Sequence, residues 1–337
     1  MAGSRWERVL VTGAAGFLGS HLSEHLLHAG CMVIGIDNFD PFYPRPIKEA
    51  NITALRESER FLFFEGDLRD QEFLEKVFLS TKPQIVVHLA AKAGVRPSLR
   101  QPEAYYQVNV IGTLRLLEVM RQQNVPYLVF ASSSSVYGNR NTVPFRETDP
   151  VDHPVSPYAA TKKAGELLCY TYHHLYDFSV SCLRFFTVYG PRQRPEMAIH
   201  KFTRLIDLGM PVTLYGDGSS RRDYTYVDDV VAGILLAMEH LNGYEIFNLG
   251  ESQTISLLEV VRTIERHLGK RAKIKWQPFQ PGDVYQTYAD ISKAQRQLGY
   301  RPTTDFDTGI QRFCQWYQQA KAQWLPWLET VQVESAK

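Results

Sequence analysis

With 337 residues, of which 44% are hydrophobic and 22% charged, the chain can bury one large core or two moderate ones. A formal net charge of +1 argues against nucleic acid or a membrane surface as a partner, and no apolar run approaches the roughly 20 residues that span a bilayer. The four cysteines form no C-x-x-C pair, and no charged-then-apolar leader is present, so we expect a cytoplasmic protein without disulfides.

Strands and helices alternate through the first half of the chain. Short apolar runs predict strands at about 8–11, 32–37, 61–64, 85–89, 127–132 and 180–185. Amphipathic patterns predict helices at about 16–29, 71–80, 104–123 and 157–176. This order is typical of parallel βαβ units, so an α/β fold is expected.

The regular alternation ends near Pro191. Helices are predicted after it at about 197–208, 228–240, 257–268 and 308–322, among short strands in no strict order. We interpret residues 1–190 as the cofactor-binding domain with the catalytic residues, and 191–337 mainly as a smaller substrate-binding domain. Some segments of the second part are expected to return to the core of the first.

A glycine-rich turn joins the first strand to the first helix. Gly13, Gly16 and Gly19 allow the backbone to approach a pyrophosphate, which the free N–H groups of the helix N-terminus can bind. Alone, these glycines could form a simple turn. Asp37 ends the second strand, 18 residues past Gly19, where a carboxylate binds ribose hydroxyls and repels a 2′-phosphate. The pattern therefore predicts an NAD site in preference to an NADP site.

The ends of the third and fourth strands extend this predicted site. Asp67 and Leu68 would meet the adenine ring, although Asp67 could instead cap the helix that begins near Asp70. Small residues beside the pyrophosphate and the nicotinamide ribose come from the segment Leu89, Ala90, Ala91 and Lys92.

Tyr158 and Lys162 lie four residues apart, so a helix places them on one face, where the ammonium can lower the pKa of the phenol. A phenol with its ordinary pKa near 10 is a poor base at neutral pH. Together with the serine-rich segment 132–138 and the glycine turn, the pair indicates a redox enzyme with a nicotinamide cofactor. The histidines match no metal-binding pattern, so no metal is predicted.

The order of these motifs resembles that of the extended short-chain dehydrogenase/reductases, the sugar-nucleotide epimerases and dehydratases. The resemblance covers residues 8–299 and includes the segments 88–91, 109–113, 132–138, 158–162, 184–191, 222–229 and 281–284. It implies a doubly wound parallel Rossmann sheet with a smaller C-terminal α/β substrate domain.

The resemblance also implies the roles of individual residues. Tyr158 would be the catalytic base, Lys162 would hold the ribose and lower the pKa of the phenol, and Ser133 would align the sugar hydroxyl. Besides the residues named above, the cofactor site would include Phe17, Leu18, Asn38, Asn109, Phe186 and Val188.

The residues after Ser133 separate the reactions of this family. Dehydratases carry Asp-Glu there, and uronate decarboxylases commonly carry a Glu, whereas this chain has Ser134 and Ser135. The resemblance therefore implies 4-epimerisation of a UDP-sugar through a transient 4-keto intermediate, with UDP-glucuronate to UDP-galacturonate as the expected reaction. NAD would be regenerated in each turnover.

Several residues are candidates to bind this substrate. Ser134, Ser135, Thr187 and Arg96 could hold the uronate carboxylate, and the hydroxyls could prevent loss of CO₂ from the 4-keto acid. The two best diphosphate ligands are Arg194 and Arg222, although either could form a surface ion pair instead. Asp283 could order the site from the substrate side, whereas Gln280 and Pro281 stand where galactose epimerases have an arginine.

Other functions stay open at this point. The alternatives are 4-epimerisation of UDP-glucose or UDP-N-acetylglucosamine, decarboxylation of UDP-glucuronate and 4,6-dehydration. A non-enzymatic NAD-binding sensor or scaffold is also possible, because fold does not dictate function. The resemblance further implies a homodimer formed through helices 104–123 and 157–176.

Overall fold

A parallel sheet with helices on both faces forms the main body of the computed structural model, which describes residues 5–278 and 285–332. In chain order its strands are β1 (Arg8–Thr12), β2 (Met32–Asp37), β3 (Phe61–Glu65), β4 (Ile85–His88), β5 (Tyr127–Ser133), β6 (Ser179–Phe185) and β10 (Tyr244–Leu249). Across the sheet the order is β3-β2-β1-β4-β5-β6-β10. This is the doubly wound Rossmann arrangement, whose ligands bind beyond the carboxyl ends of the strands where the order reverses.

Two hydrophobic layers cover the two faces of this sheet. On one face, Leu10 and its neighbours pack with Leu74 and Leu117; on the other, Val11 packs in the layer that contains Leu22 and Val230. The six predicted strands are confirmed to within one or two residues. The seventh strand comes from the later part of the chain, while the domain boundary at residue 190 stays a prediction.

The main helices also confirm most of the predictions. They are α1 (Phe17–His28), α2 (Arg45–Ile52), α3 (Gln71–Thr81), α4 (Val95–Arg100), α5 (Pro102–Tyr106), α6 (Thr113–Gln122), α7 (Pro157–Tyr176), α8 (Ala198–Asp207), α9 (Val227–Glu239), α10 (Leu257–Leu268), α11 (Ser292–Leu298) and α12 (Phe306–Gln332). Helices α2, α4 and α11 were not predicted. The predicted helix 104–123 is interrupted by a π-helical turn, Gln107–Gly112, of the kind that often lies at functional sites.

Two small sheets lie outside the Rossmann sheet. One contains β7 (Thr187–Tyr189), β9 (Arg221–Tyr226) and β11 (Thr254–Ser256), and the other pairs β8 (Pro211–Tyr215) with β12 (Lys273–Gln277). Helix α12 packs back onto α2 through Trp324 and Ile47, which fixes the position of α2 beside the carboxyl ends of β1 and β2. Over the residues described, no helix is both long enough and apolar enough to cross a membrane.

A group of carboxylates lies near the carboxyl end of β10. The Asp223 carboxylate accepts hydrogen bonds from the backbone amides of Glu251 (2.8 Å) and Ala289 (3.1 Å). The buried Oε2 atom of Glu251 has no hydrogen-bond partner in the part of the chain described. Burial, followed by the charges of Asp229, Asp223 and Asp305, raises the pKa of Glu251 to about 8.

Glu251→Gln should therefore stabilise the protein in a pH-dependent way. Below the ordinary pKa of a glutamate the side chain is neutral in both the folded and unfolded states, so the substitution changes little. Between that pKa and about 8 the folded state holds a proton that the unfolded state has lost, and the wild type loses stability as the pH rises. We expect the gain in melting temperature to be small at pH 5 and largest at pH 8–9.

Thermal unfolding from pH 5 to pH 9 checks this expectation, with Glu59→Gln at an exposed position as the control. A gain in melting temperature that is the same at all pH values would contradict it.

Candidate active site

The glycine turn at the end of β1 leaves no room for side chains. A Cβ atom on Gly13 would lie 2.9 Å from the Ala90 nitrogen, and one on Gly19 would lie 2.0 Å from the Gly13 carbonyl oxygen. Helix α1 begins at Phe17, directly after this turn, so its first free N–H groups face the end of β1. Close backbone approach and these donors fit the pyrophosphate of a dinucleotide.

A cleft extends from this turn along the carboxyl ends of the strands. The predicted cofactor residues that line it are Gly13, Gly16, Phe17, Leu18, Gly19, Asp37, Asn38, Asp67, Leu68, Leu89, Ala90, Ala91, Lys92, Tyr158, Lys162, Phe186 and Val188. The structure thus brings together segments that are up to 175 residues apart in sequence. Their individual contacts with a dinucleotide stay predictions.

Asp37 connects the end of β2 to the glycine turn. Its buried carboxylate accepts hydrogen bonds from the backbone amides of Ala15 (3.1 Å) and Phe39 (2.8 Å). Burial raises the pKa of Asp37 despite the opposing charge of Lys48 and these two hydrogen bonds. Asp37 therefore holds the turn in place, and the remaining lone pairs of its oxygens can accept hydrogen bonds from ribose hydroxyls.

Asn38 and Asp67 form the adenosine end of the predicted site. The Asn38 side-chain amide donates a hydrogen bond to Asp67 (2.9 Å), and the Arg69 side chain donates two more (2.9 and 2.8 Å). The hydrogen bonds from Arg69 are the main reason that the pKa of Asp67 falls to about 2. The alternative role of Asp67 as a helix cap is wrong, because Asp70 caps α3 by accepting from the Phe73 amide (3.0 Å).

Asn109 lies behind the cleft lining rather than on it. Its side chain accepts a hydrogen bond from the Lys92 amide (2.8 Å), and its amide group donates to the Lys92 carbonyl (2.9 Å) and to Thr161 Oγ1 (3.0 Å). The residue is 3% exposed. The Asn109 side chain thus holds the Lys92 backbone and α7, and its predicted contact with the cofactor stays a prediction.

The three predicted catalytic residues meet at the other end of the cleft. Ser133 ends β5, and its Oγ accepts hydrogen bonds from the hydroxyl (2.9 Å) and amide (3.1 Å) of Ser135. Tyr158 and Lys162 lie on α7, and Lys162 Nζ donates to the Ala131 carbonyl (2.7 Å) at 6.0 Å from the centre of the Tyr158 ring. All three side chains therefore border the same space.

Burial shifts the pKa values of Tyr158 and Lys162 so that the neutral form of each side chain is favoured. Burial raises the pKa of Tyr158, while hydrogen bonding with Ser133 and the charge of Arg194 lower it only in part. Burial also lowers the pKa of Lys162 to about 8. The ammonium donates to the Ala131 carbonyl, and the lowering of the phenol pKa by Lys162 stays a prediction. Further positive charge must enter the site before Tyr158 can act as a base at neutral pH.

Among the predicted substrate residues, Arg194 lines the cleft. It forms an ion pair with Glu196 (3.0 Å) and lies 5.7 Å from the centre of the Phe42 ring. Its charge reaches Tyr158, as the effect on the phenol pKa shows. Arg194 can therefore bind an anion close to the catalytic group.

Five further predicted substrate residues are absent from the residues that line the cleft: Arg96, Ser134, Ser135, Thr187 and Arg222. Arg96 stacks on Tyr215 of β8, with 5.0 Å between the guanidinium carbon and the ring centre. Arg222 donates to the carbonyls of Arg221 (2.9 Å) and Tyr285 (3.1 Å). Ser134 and Ser135 follow Ser133 in the chain and lie in a short 3₁₀ turn, and Thr187 is the first residue of β7. Asp283 lies outside the described residues.

Residues that the sequence did not indicate also line the cleft. They include Asp40, Phe42, Tyr43, Lys48 and Met197. Lys48 is 6% exposed, and its ammonium donates to the Asp40 carbonyl (2.7 Å). No local pattern distinguished Lys48 from an exposed helical lysine, because its burial arises in the folded chain, where its ammonium also lies 4.7 Å from the centre of the Tyr43 ring.

A buried ion pair beneath the catalytic residues was also missed. Arg184 on β6 donates two hydrogen bonds to Glu166 on α7 (2.8 and 2.9 Å), and Ser132 donates a third (2.6 Å). Burial raises the pKa of Glu166, but the hydrogen bonds and charge of Arg184 outweigh it and keep the carboxylate ionised. Glu166 follows Lys162 by four residues, so the helical stripe of Tyr158 and Lys162 could have indicated it.

Comparison with known proteins identifies relatives along nearly the whole chain. The family model described as GDP-mannose 4,6 dehydratase matches residues 10–313. A UDP-glucuronate 4-epimerase of Thermodesulfobacterium geofontis is 44% identical over 308 residues, which are 91% of this chain and 95% of that protein.

Two solved structures are similar to this one. The UDP-glucuronic acid 4-epimerase of Bacillus cereus, in complex with UDP-glucuronic acid and NAD, has a TM-score of 0.87 at 37% identity and covers 93% of this chain and 99% of its own. The UDP-glucose 4-epimerase of Thermus thermophilus, in complex with NAD, has a TM-score of 0.85 at 36% identity with the same coverage.

Glu166→Ala should destabilise the protein strongly, because it leaves the guanidinium of Arg184, 1% exposed, without its carboxylate. Removal of one partner of a buried ion pair costs about 3–5 kcal/mol. The free energy of unfolding from urea denaturation, at matched protein concentration, measures this cost.

The matched control is Glu72→Ala on α3, which breaks an exposed pair with Lys76 and should have little effect. Equal losses in the two variants would contradict a special role of the buried pair.

Proposed function

Since the chain belongs to the extended short-chain dehydrogenase/reductase family of sugar-nucleotide epimerases and dehydratases, we propose that it interconverts UDP-glucuronate and UDP-galacturonate with NAD as cofactor. The convergence of Ser133, Tyr158 and Lys162 at one end of a glycine-lined cleft carries this proposal. The relatives named above support 4-epimerisation of a UDP-sugar and make the protein an isomerase.

The chain supplies the groups that move the proton in this reaction. Tyr158 takes the proton of the C4 hydroxyl, and Ser133 holds that hydroxyl by hydrogen bonding. Lys162 keeps a fixed place through the Ala131 carbonyl and retains donors for the ribose. The glycine turn, Asp37 and Lys162 would hold NAD, which would supply a reversible hydride acceptor for C4 and a positive charge that would lower the pKa of the phenol.

Inversion at C4 requires the 4-keto sugar to turn over while its nucleotide stays bound. Arg194 is the best anchor for the diphosphate, because it lines the cleft and can bind two phosphate oxygens in bidentate fashion. Tyr158 then returns its proton to C4–O after the sugar has presented its opposite face. The family's eliminations need carboxyl groups beside Ser133, whereas Ser134 and Ser135 supply hydroxyls only.

Uronate as the substrate imposes a further demand, because its 4-keto form is a β-keto acid that loses CO₂ readily. Ser134 and Ser135, which directly follow the catalytic serine, and Thr187 offer hydroxyl donors, and Arg96 offers a cation. We assign the substrate carboxylate to this group, held out of alignment with the C4 carbonyl. Arg222 and Asp283 stay candidates for the nucleotide side.

A homodimer is the proposed assembly, and a cytoplasmic location stays a prediction. Apolar side chains are exposed on the neighbouring helices α5 to α7, with Tyr106 at 46%, Leu167 at 55% and Tyr170 at 52%. Leu167 and Tyr170 lie three residues apart and so share one face of α7. Packing against a second copy would remove this surface from water.

Incubation of the purified protein with UDP-glucuronate, without added cofactor, tests the proposed reaction. We expect NMR to detect UDP-galacturonate without UDP-xylose and without net NADH, because the hydride returns to the sugar. Turnover of UDP-glucose or UDP-N-acetylglucosamine instead would keep the chemistry and overturn the substrate. Release of CO₂ or water would indicate a decarboxylase or a dehydratase, and the absence of all turnover would favour a sensor or scaffold.

The same measurement on Thr187→Val tests the carboxylate group. We expect a larger share of decarboxylated product, since one donor is lost at nearly constant volume. An unchanged ratio of epimer to decarboxylated product would remove Thr187 from this role.

Leu167→Glu should convert the dimer into a monomer, because a charge would be buried at the interface. Sedimentation velocity on both proteins measures the change. Leu208→Glu, at a position 48% exposed after α8, is the control. A wild-type monomer, or an unchanged dimer in Leu167→Glu, would contradict the assignment.

A further inference from the structure

An ion pair between Asp40 and Lys92 crosses the cleft. Lys92 Nζ lies 3.1 Å from Oδ2 and 3.4 Å from Oδ1 of Asp40. Asp40 follows β2 and Lys92 follows β4, and β1 lies between these two strands in the sheet. The pair therefore spans the carboxyl end of β1, where the glycine turn lies, and both side chains line the cleft.

The Asp40 side of this bridge is held by several hydrogen bonds. The Asp40 amide donates to Asn38 Oδ1 (3.0 Å), and Asp40 Oδ1 accepts from the Phe42 amide (3.0 Å). The Asp40 carbonyl accepts from Lys48 Nζ (2.7 Å), and Lys48 is buried on α2, which α12 covers. The carboxylate is thus presented by a tight turn that is attached to the body of the protein.

The Lys92 side is held equally firmly. Asn109 binds both the amide and the carbonyl of Lys92 (2.8 and 2.9 Å) and is joined in turn to Thr161 on α7. Two anchored loops therefore meet through one pair of charges. The two side chains are only 19% and 28% exposed, so water screens their attraction less than that of a fully exposed pair.

We propose that the Asp40–Lys92 pair is a clasp that retains the dinucleotide, and that Asp40 is a cofactor-retaining residue. The inference rests on the proposed function, in which the cofactor is regenerated in each turnover and need not leave. A ligand seated on the glycine turn lies in a cleft whose two rims are joined by this pair. Its release requires the two charges to separate, so the clasp acts on the dissociation rate.

A second ion pair, between Arg45 and Glu65, also joins two elements but does not line the cleft. Arg45 binds Glu65 with two hydrogen bonds (2.7 and 2.8 Å), but this pair joins α2 to the end of β3 and stays outside the cleft lining as described. Its side chains are 49% and 47% exposed. Loss of this pair should leave release of the dinucleotide unchanged, which makes Glu65→Gln a matched control.

The test measures release of labelled NAD from the full-length protein. The protein is loaded with radiolabelled NAD, freed of excess label by gel filtration and chased with unlabelled NAD. Asp40→Asn keeps the acceptor for the Phe42 amide but removes the charge, so we expect release to accelerate about 2- to 5-fold. Added salt should accelerate release from the wild type, and much less from Asp40→Asn.

A double-mutant cycle tests whether the two residues act together. If the pair is the clasp, Asp40→Asn combined with Lys92→Gln releases NAD no faster than the faster of the two single variants. Effects that multiply in the double variant would overturn the proposal, as would unchanged or slower release from Asp40→Asn. Failure of the wild type to bind NAD at all would overturn the proposed function and the clasp with it.

Discussion

The buried pair of Arg184 and Glu166 is the constraint on which the active site depends. It joins β6 to α7, and the hydrogen bond from Ser132 adds β5 to the same unit. Ser133 is the next residue on β5, and Tyr158 and Lys162 lie two turns and one turn earlier on α7. A buried ion pair is weak evidence for stability, because desolvation opposes the attraction between the charges. Its value here is geometric, since a shift of either element would leave a charge buried without its partner.

The same burial sets the protonation states of the catalytic group. Burial raises the pKa of the Tyr158 phenol and lowers that of the Lys162 ammonium, so both shifts favour the neutral form. The charge of Arg194, which follows β7 in the chain, opposes this shift at Tyr158 and lowers the pKa of the phenol in part. The acid–base group is therefore completed by cationic charge, which comes from the later half of the chain and from the cofactor that the family uses.

Retention of the cofactor and turnover of the sugar place opposite demands on one cleft. A cofactor that is regenerated in each turnover benefits from rigid surroundings, and the glycine turn, Asp37 and the anchored loops of Asp40 and Lys92 provide them. The sugar must instead rotate between two poses. Of the groups assigned to it, Ser134 and Ser135 lie in a short 3₁₀ turn after β5, and Thr187 begins the three-residue strand β7.

Local patterns in the sequence determined the parts of this protein that depend on near neighbours. The helical spacing of Tyr158 and Lys162, the glycines after β1, Asp37 at the end of β2 and the alternation of strands and helices each follow from backbone geometry within a few residues. Only the tertiary structure decided which distant groups meet. Glu166 with Arg184, Asn109 with the Lys92 backbone, Asp40 with Lys92 and β10 beside β6 join segments 17 to 64 residues apart. No local period encodes such contacts, because they arise from the order of the strands in the sheet and from the burial that the sheet imposes.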